Sequence, residues 1–304
     1  MKELYINEND GGQRLDRFLS KLMPLMPKAM LYKGMRKNCV RLNGKHVKDG
    51  SVFISEGDVL TLYFKDEFFE KRDTGFRYVK PELDIVYEDE NILVVNKAVG
   101  VLVHAAGSST DAATLVDMIK SYLAENGEYD PEDENSFKPA LCNRLDRNTG
   151  GLVIAAKNAP ALREMNEHIR NREVRKLYMA VVEGCPPVSG ELRGYTERSG
   201  KVTSVSVKRT DKSKEAWLKY RVISKKSGYS LVEIELLTGR THQIRAQFSA
   251  AGYPLAGDTK YGAKGRGFRQ TLWSVRLIFE ISGGRLGYLN GRSIEVRAPF
   301  EEDF

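Results

Sequence analysis

Short apolar runs with the period of a β-strand dominate the chain from residue 83 to its end. They cover residues 84–87, 92–95, 152–156, 175–182, 202–207, 216–222, 231–236 and 272–296. Helical periodicity occurs between them at irregular positions, over residues 112–123, 159–170 and 241–251. Because strands and helices do not alternate regularly, the pattern argues against a doubly wound α/β fold. It predicts an α+β fold built on a mixed, largely antiparallel β-sheet.

The N-terminal residues predict a second, smaller α/β unit. Leu15, Phe18 and Leu22 recur at helical spacing, so the segment after Gly11-Gly12 should form an amphipathic helix. A second helix is expected over residues 28–37, since Pro27 suits the start of a helix. Short strands are expected over residues 40–42, 52–54 and 59–64.

Charge is distributed unevenly along the chain. Residues 11–50 contain ten Lys or Arg and two Asp, a net charge of +8, whereas residues 66–90 carry a net charge of −5. This change of sign supports a boundary, with a domain over residues 1–65, a linker over 66–82 and a second domain over 83–304. The basic block favours nucleic acid as the partner, although a solvated basic surface would show the same composition.

Composition excludes several classes of protein. The chain has 304 residues, of which 41% are hydrophobic and 29% charged, as in ordinary globular proteins. Cys39, Cys142 and Cys185 are widely spaced, which argues against a disulfide framework and for a reducing compartment. The sequence has neither a zinc-type Cys or His spacing nor an apolar segment of membrane-spanning length. We therefore expect a cytoplasmic monomer that uses no metal, cofactor or membrane.

The tetrapeptide RLDR occurs twice, at residues 14–17 and 144–147. Asp16 in the first copy is expected to be a solvated residue of an amphipathic helix. Asp146 in the second copy lies before two glycines and a buried strand, and loops held by a rigid sheet often carry catalytic groups. The flanking arginines would favour an ionised carboxylate. This local pattern fits a catalytic carboxylate and also a structural Arg–Asp pair.

Two further segments could contribute to the same site. In residues 237–245, Gly239 would permit a tight turn from strand to helix, and Thr241 could cap the helix. Arg240 and Arg245 near the helix start predict an anion site. In the segment RKLY, Tyr178 could stack on a base, or it could be an ordinary tyrosine of a core strand.

The order and spacing of these segments resemble the RluA family of pseudouridine synthases. The resemblance runs from about residue 83 to residue 297 and rests on YEDENILVVNK, NRLDRNTGGLVIAAKN, RKLYMAVVEG and LLTGRTHQIRAQFSAAGYPLAGDTKYG. Residues 12–64, with RLDRFL, KGMRKNCVRLNGK and EGDVL, resemble an S4-type RNA-binding domain. The two resemblances together imply an RNA-modifying isomerase whose expected substrate is 23S ribosomal RNA.

The family resemblance implies a role for individual residues. Asp146 matches the catalytic aspartate, Tyr178 the tyrosine that contacts the target base, and Arg245 the basic residue that pairs with the aspartate. Arg144 would fill the gap that the uridine leaves in the RNA stack, and Lys176 would support the site. The other residues expected to contact RNA are Arg240, His242, Arg14, Arg17, Lys33, Arg36, Lys37 and Arg41.

The chain departs from the family pattern at three places. Asn143 stands where the family has His, and Gly150 stands at the Ser of the usual TSG. Ala246 and Gln247 replace the usual VH after QIR. These departures concern substrate contacts and loop rigidity, because the Asp, Tyr and Arg implied in catalysis are present.

The implied reaction breaks the N1–C1′ bond of a uridine, rotates the uracil and joins C5 to C1′. It involves no redox change and needs no cofactor or metal. Asp146 would either attack C1′ or remove the C2′ proton, and the uridine would have to leave its stack to be reached. Two other readings remain: a non-catalytic RNA-binding or ribosome-assembly factor on the same fold, and the same isomerase acting on tRNA.

Overall fold

The computed structural model describes residues 1–69, 76–104, 112–132, 134–200, 202–265 and 269–304. Part of the predicted linker, residues 70–75, lies outside this described part of the chain. Residues 66–68 form a single 3₁₀ turn. None of the helices in the described ranges combines the length and the apolar character that a bilayer crossing demands.

The N-terminal region contains two helices and six short strands. They are β1 (Lys2–Tyr5), β2 (Gln13–Arg14), α1 (Leu15–Leu22), α2 (Lys28–Arg36), β3 (Val40–Leu42), β4 (Lys45–His46), β5 (Phe53–Ile54) and β6 (Val59–Leu62). Four strands form an antiparallel sheet in the order β1-β6-β3-β4, and β2 pairs with β5. The two predicted helices and the predicted short strands are confirmed. Leu15, Phe18 and Leu19 of α1 are buried in a core cluster formed by the N-terminal region.

A second sheet of eleven strands organises the rest of the chain. Its strands and the neighbouring helices are β7 (Ile85–Glu88), β8 (Ile92–Lys97), α3 (Leu115–Glu125), β9 (Ala140–Leu141), β10 (Gly150–Ala156), α4 (Ala159–Asn171), β11 (Val174–Glu183), β12 (Ser189–Ser199), β13 (Val202–Ser206), β14 (Lys214–Lys226), β15 (Tyr229–Leu236), α5 (Gln243–Ala250), β16 (Leu272–Phe279) and β17 (Ser293–Glu295). The main strand order is β13-β12-β14-β15-β11-β16-β10-β8-β7. Strands β10 and β16 are parallel, and the other pairs among the described residues are antiparallel. The predicted α+β fold with a mixed, largely antiparallel sheet is confirmed.

Strand β12 was missed by the sequence pattern. Its residues, SGELRGYTERS, include few apolar side chains, so the two-residue period is weak. Hydrogen bonds to the neighbouring strands β13 and β14 hold it in the sheet instead. Pairing of this kind uses backbone groups and leaves little signal in the pattern of side chains.

The two faces of the large sheet carry separate core clusters. Leu93 and Val95 of β8 pack on the face covered by α3 and α5, whereas Ile92 and Val94 pack on the face covered by α4. This alternation follows from the two-residue period of a strand. It places helix α5 on the same face of the sheet as Leu145, the residue before Asp146.

A buried aspartate attaches the N-terminal region to the large sheet. Asp10 is fully buried, and its carboxylate accepts hydrogen bonds from Asn135 Nδ2 at 2.8 Å and from Ser136 Oγ at 2.7 Å. Nearby, Asn9 Oδ1 accepts a hydrogen bond from the Ala159 backbone nitrogen at 2.9 Å. These contacts link the loop before β2 to the segment before β9 and to the start of α4.

The prediction that Asp16 is solvated was wrong. Asp16 is 7% exposed and accepts hydrogen bonds from Arg14 at 2.7 Å and from the Tyr32 hydroxyl at 2.8 Å. Burial by itself would raise the pKa of Asp16, but the hydrogen bonds from Arg14 and Tyr32 outweigh it and lower the pKa. A helical period identified the apolar face, and it could not show that Tyr32 of the next helix covers Asp16.

Candidate active site

One cavity of about 290 Å³ gathers the site residues that were predicted in the second domain. Its volume is near the lower end of the ~300–1,000 Å³ typical of ligand pockets, which suits a ligand the size of one nucleoside. The predicted residues that line it are Arg144, Asp146, Lys176, Tyr178, Arg240, His242 and Arg245. The N-terminal basic residues do not line it.

Asp146 lies in the loop between β9 and β10. Arg245 Nη1 donates a hydrogen bond to Asp146 Oδ2 at 3.1 Å. The flanking arginines do not pair with this carboxylate, which corrects the sequence expectation: Arg144 is exposed, and Arg147 Nε donates to the Gly100 carbonyl at 3.0 Å. The partner of Asp146 therefore comes from helix α5 on the same sheet face.

Arg245 is held by two carboxylates and one aromatic ring. It is 7% exposed, and its Nε and Nη2 donate to the two carboxylate oxygens of Asp258 at 2.7 and 2.8 Å. Its guanidinium carbon lies 4.8 Å from the centre of the Tyr261 ring. Burial opposes the charge on Arg245, but Asp258 and then Asp146 raise its pKa, so Asp146 faces a permanent cation.

The start of helix α5 differs from the prediction. His242 is the N-cap residue, with a left-handed φ of 53°, and no side chain caps the helix. The backbone carbonyl of Thr241 accepts a hydrogen bond from Thr203 Oγ1 at 3.0 Å, and its side chain does not act as the predicted cap. Gly239 has no positive φ and nothing within 4 Å of an added Cβ, so its conformational freedom is not required here. The left-handed backbone conformation at the start of α5 is adopted by His242 instead.

His242 lies between Tyr261 and Asp146. The Tyr261 hydroxyl oxygen accepts from the Thr203 backbone nitrogen at 2.9 Å and also lies 2.9 Å from His242 Nδ1. Burial lowers the pKa of His242, which favours the neutral ring. Its Nε2 lies 3.8 Å from Asp146 Oδ2, so a substrate held beside the carboxylate would also lie close to this ring nitrogen.

Strand β11 supplies two further side chains on one face. Tyr178 is 4% exposed, and burial, aided by the charge of Asp146, raises its pKa to about 12, so the phenol stays neutral. It belongs to the core cluster, as an ordinary tyrosine of a core strand would, and it also lines the cavity. Burial lowers the pKa of Lys176, whose Nζ donates to the Val174 carbonyl at 3.3 Å.

Lys97 supports the loop of Asp146 and was missed by the sequence analysis. It is 2% exposed, and its Nζ donates to the backbone carbonyls of Ala98, Val101 and Arg147 at 2.9, 3.1 and 3.2 Å. Burial lowers its pKa to about 8, and the charge of Asp146 acts in the opposite direction. The available signal was a single lysine that ends the apolar strand ILVVNK.

The structure accounts for two of the departures from the family pattern. Asn143 Nδ2 donates to the Leu152 carbonyl at 3.2 Å, and Asn143 Oδ1 accepts from the Ile154 nitrogen at 2.8 Å, so this side chain secures the loop to β10. A Cβ at Gly150 would lie 2.3 Å from the Trp273 ring, which leaves no room for a serine. Both departures preserve the loop that carries Asp146.

Other predicted residues lie in different environments. Arg240 lines the cavity, and its Nε donates to the Glu215 carbonyl at 2.8 Å. The Arg41 guanidinium lies 5.5 Å from the Tyr63 ring, and Arg14 binds Asp16. Burial raises the pKa of the Cys142 thiol to about 12, consistent with a structural role. The predicted N-terminal residues that are exposed are Arg17, Lys33, Arg36 and Lys37.

Comparisons with known proteins agree on one family. A family model described as RNA pseudouridylate synthase matches residues 91–250. An uncharacterized RNA pseudouridine synthase of Mycoplasma capricolum is 29% identical over 302 residues, covering 97% of each chain. Ribosomal large subunit pseudouridine synthase C of Vibrio vulnificus is 32% identical and covers 84% of this chain and 79% of its own length. The corresponding synthase D of Yersinia pestis is 30% identical, with 86% and 76% covered.

Solved structures share the fold. Human RNA pseudouridylate synthase domain containing 1 superposes with a TM-score of 0.57 at 23% identity, covering 73% of this chain and 86% of its own. Human RNA pseudouridylate synthase domain containing 4 gives the same TM-score at 22% identity, covering 71% and 88%. The large mixed sheet is therefore the pseudouridine synthase fold.

Proposed function

The chain belongs to the RNA pseudouridylate synthase family, and on that premise we propose that it isomerises uridines of 23S ribosomal RNA with Asp146 as the catalytic carboxylate. The protein is an isomerase that converts uridine in RNA to pseudouridine. The choice of carboxylate rests on one observation. Asp146 is the carboxylate that lines the cavity, and its Oδ2 is 3.1 Å from the buried, permanently charged Arg245.

A single ionised carboxylate is sufficient for this chemistry. Asp146 would either attack C1′ and form an ester with the sugar, or remove the C2′ proton and leave a glycal. In both routes the N1–C1′ bond breaks, the uracil rotates and C5 bonds to C1′. This last bond displaces the Asp146 carboxylate from the sugar in the first route, and C2′ regains its proton from Asp146 in the second. C5 then loses its proton and N1 gains one, which completes the isomer. A hydrolytic glycosidase needs a second carboxylate to activate water, whereas here the uracil itself is the nucleophile that returns. Arg245 orients this carboxylate through the hydrogen bond from its Nη1 to Asp146 Oδ2.

The size and burial of the cavity support a flipped nucleotide. A uridine in a helix must leave its stack to reach Asp146, at a cost of a few kcal/mol. The neutral phenol of Tyr178 offers a flat wall against which the uracil would pack. Arg144, exposed at the opening, would occupy the space that the uridine leaves in the RNA. Arg240 and His242 would contact the substrate at the rim, and Lys176 would support the site beside Tyr178.

The N-terminal region supports a structured RNA substrate. We propose that residues 1–65 form an S4-like RNA-binding domain, joined by residues 66–82 to a catalytic domain over residues 83–304. The N-terminal sheet has its own core cluster, which favours this division. Its contacts with RNA would come from Arg14, Arg17, Lys33, Arg36, Lys37 and Arg41. Relatives named as ribosomal large subunit synthases favour 23S RNA over tRNA, and such a substrate would place the protein in the cytoplasm.

The substrate is tested with RNA that carries tritium at C5 of its uridines. C5 releases its hydrogen only when it bonds to C1′, so tritium in the solvent counts isomerised uridines. We expect release from transcribed 23S RNA and none from 16S RNA or tRNA of the same specific activity. Release from tRNA alone would assign the isomerase to tRNA. No tritium release from any of the three RNAs, together with retained binding to 23S RNA, would favour the non-catalytic assembly factor.

A further inference from the structure

A second carboxylate lies behind Arg245, on the side away from Asp146. Asp258 is 3% exposed, and its two oxygens accept from Arg245 Nε at 2.7 Å and Nη2 at 2.8 Å. It precedes the 3₁₀ turn Thr259–Tyr261. Asp258 does not line the cavity, so it has no direct route to a bound nucleotide.

The paired contact fixes the third nitrogen of the guanidinium. The guanidinium is planar and rigid, so a carboxylate that holds Nε and Nη2 also sets the position of Nη1. Nη1 is the nitrogen that donates to Asp146 Oδ2 at 3.1 Å. The position of Asp258 thus determines where the cation meets the proposed catalytic carboxylate.

The turn that carries Asp258 is itself held in place. The Asp258 nitrogen donates to the Leu255 carbonyl at 3.0 Å, and the Asp258 carbonyl accepts from Tyr261 at 2.9 Å and from Ala263 at 3.1 Å. Gly257 has a φ of 76°, and a Cβ there would lie 2.3 Å from the Arg269 carbonyl oxygen. These contacts leave Asp258 little freedom to follow Arg245, so Arg245 must follow Asp258.

We propose that Asp258 is a positioning residue of the isomerisation, which acts by holding Arg245 so that Nη1 orients the carboxylate of Asp146. This inference rests on the proposed function of Asp146. Asp258 itself touches neither the substrate nor the reacting atoms. Its removal should therefore affect the chemical step and leave RNA binding intact, whereas a purely structural ion pair would affect only the amount of folded protein.

Asp258→Asn tests the proposal in the chain of residues 1–304. The amide keeps the shape of the side chain but turns an NH₂ group toward a guanidinium that can only donate. We expect kcat to fall about 10- to 100-fold, because small misplacements of catalytic groups have effects of this size. KM for the RNA should stay within about threefold of the native value, since the contacts that bind the RNA before the reaction are unchanged. Asp258→Glu keeps the charge but shifts the carboxylate, so it should also lower kcat. It replaces Asp258→Asn as the test variant if Asp258→Asn fails to fold.

Asp89→Asn is the matched control for a loss of folded-state stability. Asp89 accepts hydrogen bonds from the hydroxyls of Tyr87 and Tyr288, both at 2.7 Å, in the β7–β8 turn away from the cavity. Its variant should lower the melting temperature and leave kcat per folded molecule unchanged. If kcat of Asp258→Asn falls no further than this control, or if KM rises while kcat holds, the proposal is overturned.

The double variant Asp258→Asn/Arg245→Lys tests the route of the effect. If Asp258 acts through Arg245, kcat of the double variant should equal that of Arg245→Lys alone. Fully additive losses of kcat would overturn this route.

Activity of the native protein, measured in parallel, distinguishes a failure of the proposed function from a failure of the proposed role of Asp258. An inactive native protein contradicts the proposed function, whereas an active native protein with an equally active Asp258→Asn variant contradicts only the role of Asp258.

Discussion

Arg245 Nη1 and Asp146 Oδ2 lie 3.1 Å apart although 99 positions separate the two residues in the chain. Asp146 precedes the buried strand β10, and Arg245 lies in α5, which packs on the same face of the sheet as Leu145. The sheet thus brings a loop carboxylate and a helical cation together at one cavity. The following expectations depend on this contact and on the residues that hold it.

Arg245→Lys should preserve the positive charge but lose the planar group that contacts Asp258 and Asp146 at the same time. A lysine ammonium cannot bridge Asp258 and Asp146 as a planar fork does. We expect kcat to fall by about 100-fold, since the Asp146 carboxylate loses its fixed partner. The free energy of unfolding should fall by about 1–3 kcal/mol, because buried carboxylate oxygens lose hydrogen bonds. Single-turnover kinetics and urea denaturation measure the two effects, and native values for both would refute the importance of the fork.

Lys97→Met should loosen the loop that carries Asp146. Methionine retains the length of the side chain but donates to none of the carbonyls of Ala98, Val101 and Arg147. We expect kcat to fall about tenfold, because the catalytic geometry is less well held. Amide hydrogen exchange over residues 144–149 should become faster at the same time. Unchanged exchange together with unchanged kcat would show that Lys97 does not support this loop.

His168 should make stability depend on pH. Burial would lower the pKa of His168, but hydrogen bonds from its ring nitrogens to the carboxylates of Glu173 and Glu164 outweigh this and raise the pKa above the ordinary ~6.5. A raised pKa in the folded state means that the stabilisation is fully present below pH ~6.5 and is lost as the pH rises through the folded value. Urea unfolding across this range should show the decrease in the native protein and a smaller one in His168→Gln. Identical pH dependence in the two proteins would exclude His168 as the source.

The exposed basic residues of α2 and its C-cap should contribute to RNA affinity through phosphate contacts. The triple substitution Lys33→Ala/Arg36→Ala/Lys37→Ala removes three of them. The slope of log affinity against log salt should become less steep by about 2, at ~0.7 per phosphate on single-stranded RNA. Lys208→Ala/Arg209→Ala/Lys212→Ala removes the same charge from an exposed loop between β13 and β14 and should leave the slope nearly unchanged. Equal slopes for both triple variants would remove the RNA-binding role assigned to α2.

The fold was predictable where local periodicity and burial coincide. Leu15, Phe18 and Leu22 mark the buried face of α1, and the unbroken apolar run at residues 152–156 marks the fully buried strand β10. Strand β12 was not predictable, since its place in the sheet comes from pairing rather than from an apolar period. Periodicity describes which side of an element is buried, and it does not describe which element covers it.

The cavity residues were predictable from motifs, but their contacts were not. Arg144 and Arg147 lie within two positions of Asp146 in sequence, yet the contact comes from Arg245. Thr241 and Gly239 have the residue types of a helix start, yet His242 adopts the left-handed conformation. Lys97 and Asp258 reach the site only through Arg147 and Arg245, so their roles depend on the three-dimensional arrangement.

The most direct measurement compares the native protein with Asp146→Asn for tritium release from C5-labelled 23S RNA. Asparagine has the shape of aspartate, but it can neither form the sugar ester nor accept the C2′ proton efficiently. Equal melting temperatures and equal RNA affinities of the two proteins serve as the control. Release by the native protein and none by Asp146→Asn is the expected result. Equal release by both proteins would mean that the reaction occurs without Asp146, which contradicts the central claim.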